Sequence, residues 1–418
     1  MASVNPFEIK KEKIEDGFKE LGRLSFAPYA DLENNPCARM WILFMNAVEL
    51  SSVLLKHFLI SECACADLRR EMALLSRADQ FQQKGVTVSL TSPQPLIEQA
   101  VLYEQLNTEL SAVLAQNETD RYVKAALDFT LIEDVDHLYR FSNLLKLESD
   151  VKAEIFTGGI TEIMPARPTI SQHRHPFDDV KHTVPSEISG LKTRLNIAAV
   201  TAAKRQTLNF FMNAGALYGS DAARRLFAEI ALTEEQHLTQ YDSLADPALS
   251  ITEKLLMCEY TECYLYYSAY LDEKDEKLKN AWERRFIREA AHLKKAAELM
   301  KTYENKDYAL LIPQENFPEK LSFNDFTEAN KNYIRKVLKE TADNTALLED
   351  YVKVGELPQN CAFFKYNGLL TRPYEAVASH FVVENLIERD GCDYRFETSP
   401  HPLPAMRERA FDNIEVGR

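Results

Sequence analysis

The stretch EIALTEEQHLTQYDSL, residues 229–244, decides how this chain is read. Its apolar positions recur every three or four residues, so that Leu226, Ile230, Tyr241 and Leu244 form one stripe of a helix. Glu234 and His237 fall on that same stripe, spaced i, i+3. Residues at this spacing share a helix face, which aims a carboxylate and an imidazole into the core. A buried charge is costly unless it is paired or bound to a metal.

The pattern recurs. A helix over 121–147 carries Val123, Leu127, Thr130, Asp134, His137, Phe141 and Leu144 at steps of three or four, and one over 277–303 carries Trp282, Phe286, Glu289, His292, Ala296 and Leu299 in the same way. Three helices therefore place an acid three residues before a histidine on the inward stripe. Each closes a helical hairpin: 94–147 turning at QNETD, 188–245 at LYGSD and 250–303 at LDEKDEK, where Asn, Ser or Asp can cap the following helix.

The partner helices are expected to supply lone acids. Ile97, Val101, Glu104, Thr108 and Ser111 make a stripe that sets Glu104 opposite Asp134, while Leu255, Glu259, Glu262 and Tyr266 set two acids opposite Glu289. The helix before Glu234 has none, and Thr201 or Arg205 stands where a carboxylate would be needed. In helical bundles a Glu from each of two helices and a Glu-x-x-His pair from each of two others hold a dinuclear iron or manganese site. Glu133, next to Asp134, reads as solvated.

Around these hairpins, helical patterning runs from Pro36 to about residue 80 with a break near Ser61, followed by the linker QQKGVTVSLTSPQP. A long connection over 148–187, too rich in Pro and β-branched residues for a helix, holds His173, His175 and His182. Further helices are expected near 325–353 and 373–389, the latter with His380 and Glu384 as a structural pair, before a Pro-rich tail from Ser399. Weak strand signals are confined to 86–90 and 160–170. The fold class is thus all-α, with an N-terminal helical extension (1–93), a bundle (94–303) and a C-terminal helical extension and tail (304–418).

Composition agrees. Only 12 of 418 residues are Gly, which favours helices. A net charge of −15 argues against nucleic acid or an anionic membrane as partner. The seven cysteines include no CxxC pair, which argues against a zinc knuckle or rubredoxin-type site and for free thiols. With no apolar run approaching about 18 residues and no apolar signal core, a cytoplasmic protein is expected.

The segments TAAKRQTLNFF and GSDAARRLFAEIALTEEQHLTQY resemble the hairpin of the ferritin-like superfamily, specifically rubrerythrin-type bundles, that ends in an inward Glu-x-x-His. EYTE followed by FIREAAHLKKA resembles that family's Glu-x-x-Glu helix and its second Glu-x-x-His helix. Over about residues 94–303 the resemblance implies a ferritin-like bundle with a dinuclear iron, or manganese, carboxylate site and dioxygen or peroxide chemistry. Thr201 in place of a Glu departs from that pattern, as does the lack of a rubredoxin module.

Two ligand sets remain open. The long connection 148–187 suits a crossover joining the first and second hairpins, giving Glu104, Asp134, His137, Glu234 and His237. The supply of carboxylates instead favours the first and third, giving Glu104, Asp134, His137, Glu262, Glu289 and His292. The expected function is a diiron oxidase or oxygenase, acting as a homodimer on a small-molecule substrate with a separate electron donor. Iron storage is disfavoured because the added helices would obstruct a closed cage. The alternative is a metal-free helical binding module.

Overall fold

The computed structural model describes residues 4–10, 12–23, 35–90, 95–164, 179–314, 316–345 and 389. Among them every regular element is helical, and the segments 86–90 and 160–164 contain no strand. The helices are α1 (Pro36–Glu62), α2 (Ala66–Thr87), α3 (Leu96–Asn117), α4 (Arg121–Ser149), α5 (Leu191–Ala214), α6 (Asp221–Leu244), α7 (Ile251–Asp272), α8 (Glu276–Glu304) and α9 (Thr327–Thr345). His173, His175, His380, Glu384 and the tail lie outside the described residues.

The boundaries follow from capping. Asn35 accepts from the Ala38 amide ahead of Pro36, and Asp120 accepts from Tyr122 and Val123. Ser250 and Glu253 form a reciprocal capping box, and Asp275 accepts from Leu278. Such caps satisfy amides that have no partner within the helix. The two longest helices, α4 and α8, are 29 residues each and both stop at a left-handed residue, Asp150 (φ 57°) and Asn305 (φ 52°). Asn and Asp tolerate that conformation better than other side chains.

A repeat runs through these elements. Starts at 36, 66, 96 and 121 recur at 191, 221, 251 and 276, a constant step of 155 residues with no insertion. At that step the caps Asp120 and Asp275 correspond, as do Glu104 and Glu259, and His137 and His292. Asp134 corresponds to Glu289, Asp79 to Glu234 and Gln82 to His237.

The chain divides into two compact units. Unit 1 comprises residues 1–93, 184–206 and 246–325, and so contains α1, α2, most of α5, α7 and α8. Its core includes Trp41, Phe44, Met72, Leu75, Leu255, Tyr266 and Trp282. Trp41 Nε1 donates to Asp272 Oδ2 at 2.8 Å, an oxygen that also accepts from the Phe323 amide at 2.9 Å. Unit 2 comprises residues 94–183, 207–245 and 326–418, and so contains α3, α4, the end of α5, α6 and α9. Within it Ile334, Val337 and Leu338 of α9 pack against Phe129, Leu131, Ile132 and Val135 of α4. Unit 1 joins α1–α2 of the first copy to α7–α8 of the second, and unit 2 joins α3–α4 of the first copy to α6 and the end of α5 from the second.

This division corrects the expected domain layout. Residues 36–87 do not extend a bundle over 94–303. They pack with 251–304 as half of a unit, in which α1 lies against α7. By length and hydropathy α1 could cross a membrane, and 67% of its most apolar window is buried within the fold.

Candidate metal centre

In unit 2 the inward stripes of α3, α4 and α6 bring together Glu104, Glu133, Asp134, His137, Glu234 and His237. Each of these is buried, with exposure of 0–1%. Glu234 Oε1 lies 3.2 Å from His137 Nδ1 and 3.2 Å from His237 Nδ1. Glu104 Oε1 is 3.4 Å from His137 Nδ1, and Asp134 Oδ1 is 3.8 Å from His237 Nδ1. The imidazole centroids are 6.0 Å apart with a 28° interplanar angle. One ligand atom from each of Glu104, Asp134, His137 and Glu234 lies within 4.8 Å of the other three.

Neighbours orient these groups. Ser111 Oγ donates to Asp134 Oδ2 at 2.9 Å, and Asn107 Nδ2 donates to Glu104 Oε2 at 3.2 Å. Thr207, from the end of α5, donates to Asn107 Oδ1 at 3.3 Å. His237 Nε2 lies 2.5 Å from Glu133 Oε2. The expectation that Glu133 is solvated is therefore corrected: it is fully buried and holds the far nitrogen of a site histidine. Its adjacency to Asp134 suggests the outer face of α4, but α4 is covered on several sides within the unit.

Burial by itself would lower the pKa of His137. The charge of Glu104, with contacts to Glu104 and Glu234, instead lifts it to about 10. In the absence of a metal His137 is thus an imidazolium whose proton offsets part of the carboxylate charge. Its Nε2 has no hydrogen-bond partner.

Glu262, Glu289 and His292 belong to unit 1 and join α1 and α2; they do not join Glu104, Asp134 and His137. The alternative pairing of the first hairpin with the third is therefore not the one formed. Glu289 Oε1 lies 3.1 Å from His292 Nδ1, with Asp79 Oδ1 at 3.5 Å and Glu259 Oε2 at 3.9 Å. Glu49, Lys56, Asp79 and Gln82 complete this second cluster, each at most 5% exposed. Sequence reasoning missed these four. The signal that could have found two of them is the 155-residue step, which maps Asp79-x-x-Gln82 onto Glu234-x-x-His237.

The positions considered for a missing carboxylate on α5 are in unit 1. Thr201 is 8% exposed, and Arg205 Nη1 donates to Ser51 Oγ at 2.5 Å. His182 is exposed, its backbone amide donating to the Tyr122 hydroxyl at 2.7 Å. Cys37, Cys63, Cys65, Cys258 and Cys263 are free thiols.

Fold and site together define an all-helical bundle protein with buried carboxylate–histidine clusters that could hold metal. No protein-family model, curated protein or solved structure matches the chain.

Proposed function

We propose that unit 2 is a ferritin-like bundle whose Glu104, Asp134, His137, Glu234 and His237 bind two iron or manganese ions, and that the protein is an oxidoreductase acting on dioxygen or peroxide. The observation that carries this reading is the single oxygen of Glu234 placed equally close to two nearly parallel imidazoles. A carboxylate between two nitrogen donors suits a bridging role, with one imidazole completing each coordination sphere. The donor set fits such a pair with one carboxylate fewer than the full pattern of six.

Further support lies around the ligands. A metal-bound histidine commonly gives its other ring N–H to a carboxylate, which fixes the tautomer, and Glu133 stands in that place for His237. Ser111 and Asn107 each donate to one oxygen of a ligand carboxylate, orienting Asp134 and Glu104. Two reduced ions would supply electrons and open positions for an oxygen-bearing substrate. The surrounding residues would bind and orient them and keep bulk water out. Electrons for turnover would come from a separate donor or from the substrate, and cytoplasmic location and dimerisation belong to the same proposal.

A second reading is favoured by the charged state of His137. An imidazolium held by Glu104 and Glu234 can stabilise the cluster as a metal-free ion-pair network in a binding module. Metal analysis separates the two. Chelator-stripped protein reloaded anaerobically with ferrous iron should retain about two ions per unit 2 site, lose them in His137→Ala/His237→Ala, and oxidise them when oxygen is admitted. Equal metal content in wild type and double variant would overturn the proposal in favour of the network.

A further inference from the structure

The unit 1 cluster is the counterpart of the proposed centre with several residues changed, Glu262 standing one step from Asn107 among them. Gln82 replaces the second histidine, and Lys56 enters from α1. The shared geometry persists: His292 faces Asp79 and Glu259 at 3.5 and 3.9 Å, as His137 faces Glu234 and Glu104 at 3.2 and 3.4 Å.

Asp79 and Glu259 each divide their two oxygens. Asp79 Oδ2 and Glu259 Oε1, the latter at 2.8 Å, are ion-paired to Lys56 Nζ, while Asp79 Oδ1 and Glu259 Oε2 turn towards His292. Glu262 Oε2 is 3.4 Å from the ammonium, and Ser52 Oγ accepts from it at 2.6 Å. This is how carboxylates bridge two cations, and an ammonium already fills one place. The other place is bounded by His292 Nδ1, 3.1 Å from Glu289 Oε1, and by Glu289 Oε2, which is buried without a hydrogen-bond partner. Gln82 Nε2 donates to the remaining oxygen of Glu289 and holds it in position.

The supply of donors points the same way. Glu49, Asp79, Glu259, Glu262 and Glu289 are buried together with one lysine. A small pocket of about 50 Å³ reaches this cluster, lined by Ile14, Phe18, Phe81, Gln82, Arg288 and His292. It has room for a few waters or a bare cation on its way in.

We propose that unit 1 binds a single divalent cation through Asp79, Glu259, Glu289 and His292, with the Lys56 ammonium as a built-in second cation. The oxygen-rich donor set with one imidazole suits manganese or ferrous iron. The unit 2 centre would be dinuclear and this one mononuclear, so the two differ in stoichiometry.

The test uses the full chain carrying His137→Ala/His237→Ala, which silences unit 2. After chelator stripping, manganese(II) titrated against this protein and followed by electron paramagnetic resonance should saturate at one ion per chain. His292→Ala, or His292→Gln should the alanine variant lose helicity, should weaken that binding by at least about tenfold. Lys56→Ala should admit a second ion. Manganese binding in the silenced chain no tighter than in its His292 variant overturns the proposal, and a Lys56→Ala protein still limited to one ion overturns the role given to the ammonium. Failure of the unit 2 reading is distinguishable, because wild type and silenced chain would then bind equal amounts.

Discussion

His137 and His237 present their Nδ1 atoms to one oxygen of Glu234, each at 3.2 Å, with their rings within 28° of parallel. The two imidazoles come from different copies of the 155-residue repeat. Glu234 thus touches both imidazoles, and Glu234→Ala is expected to abolish metal retention in unit 2. Glu133→Ala, which removes only the support of His237, should leave the stoichiometry intact and weaken affinity by about ten- to a hundredfold. Metal content and titration of both variants in a His292→Ala background check this, and equal losses in the two would contradict it.

Arg140 on α4 is 1% exposed and makes a two-pronged ion pair with Glu229 on α6, Nη1 to Oε1 at 2.8 Å and Nη2 to Oε2 at 2.6 Å. Removing one partner of a buried pair leaves the other charge uncompensated, at a cost of about 3–5 kcal/mol. Glu229→Ala leaves the buried arginine facing Asp136, whose Oδ2 is 3.8 Å from Nη1, and should cost less than that figure, the more so because Glu229 is 23% exposed. Urea denaturation of unit 2 measures the loss.

Glu109 accepts from Thr161 Oγ1 at 2.7 Å and from Asn330 Nδ2 at 2.6 Å, and burial still lifts its pKa to about 7. Its protonated form is therefore the one that folding favours. The associated stability is fully present below the unfolded value near 4.5 and is lost as pH rises through about 7. A tenfold change in a protonation equilibrium is worth about 1.4 kcal/mol, so the pH-dependent part amounts to about 3 kcal/mol. Glu109→Gln stays neutral at every pH and should gain by that amount relative to wild type between pH 4.5 and pH 8. A difference that does not change with pH would refute the assignment.

Ser250 accepts from the Glu253 amide at 3.3 Å, Glu253 accepts from the Ser250 amide at 2.8 Å, and the Ser250 hydroxyl donates to Glu304 Oε2 at 2.6 Å. The box fixes where α7 begins and ties it to the end of α8. Ser250→Ala should cost about 1 kcal/mol, whereas Trp282→Ala, which empties a fully buried site in the same unit, should cost about 3–5 kcal/mol. Thermal denaturation should rank the two in that order.

The helices and their ends were legible because their signals are local. Stripes at steps of three or four and Asp or Ser caps marked α3, α4, α6, α7 and α8 within a few residues, and the inward acids and histidines came with them. What stayed hidden was pairing between distant segments. The apolar surface of α1 is continuous, so Glu49 and Lys56 do not stand out from a simple core helix. Asp79 and Gln82 lack the histidine that drew attention to the other pairs. The repeat, with few identities between its copies, becomes clear only when helix boundaries are laid side by side.

The interleaving of hairpins sets an order of events during synthesis. In unit 2 α6 follows α3–α4 with no part of α7 or α8 between them, so the contacts between them can form as soon as residue 245 has left the ribosome. The α1–α2 hairpin ends at Thr87 but meets its partner only after α7 begins at Ile251. At the usual translation speed that wait is about 10–30 s. Throughout it α1, with hydropathy high enough for a membrane span, has α2 to pack against but still lacks α7. The nascent chain must therefore shield α1 by transient contacts or by a chaperone, and unit 1 is the part of this protein most exposed to aggregation before its release.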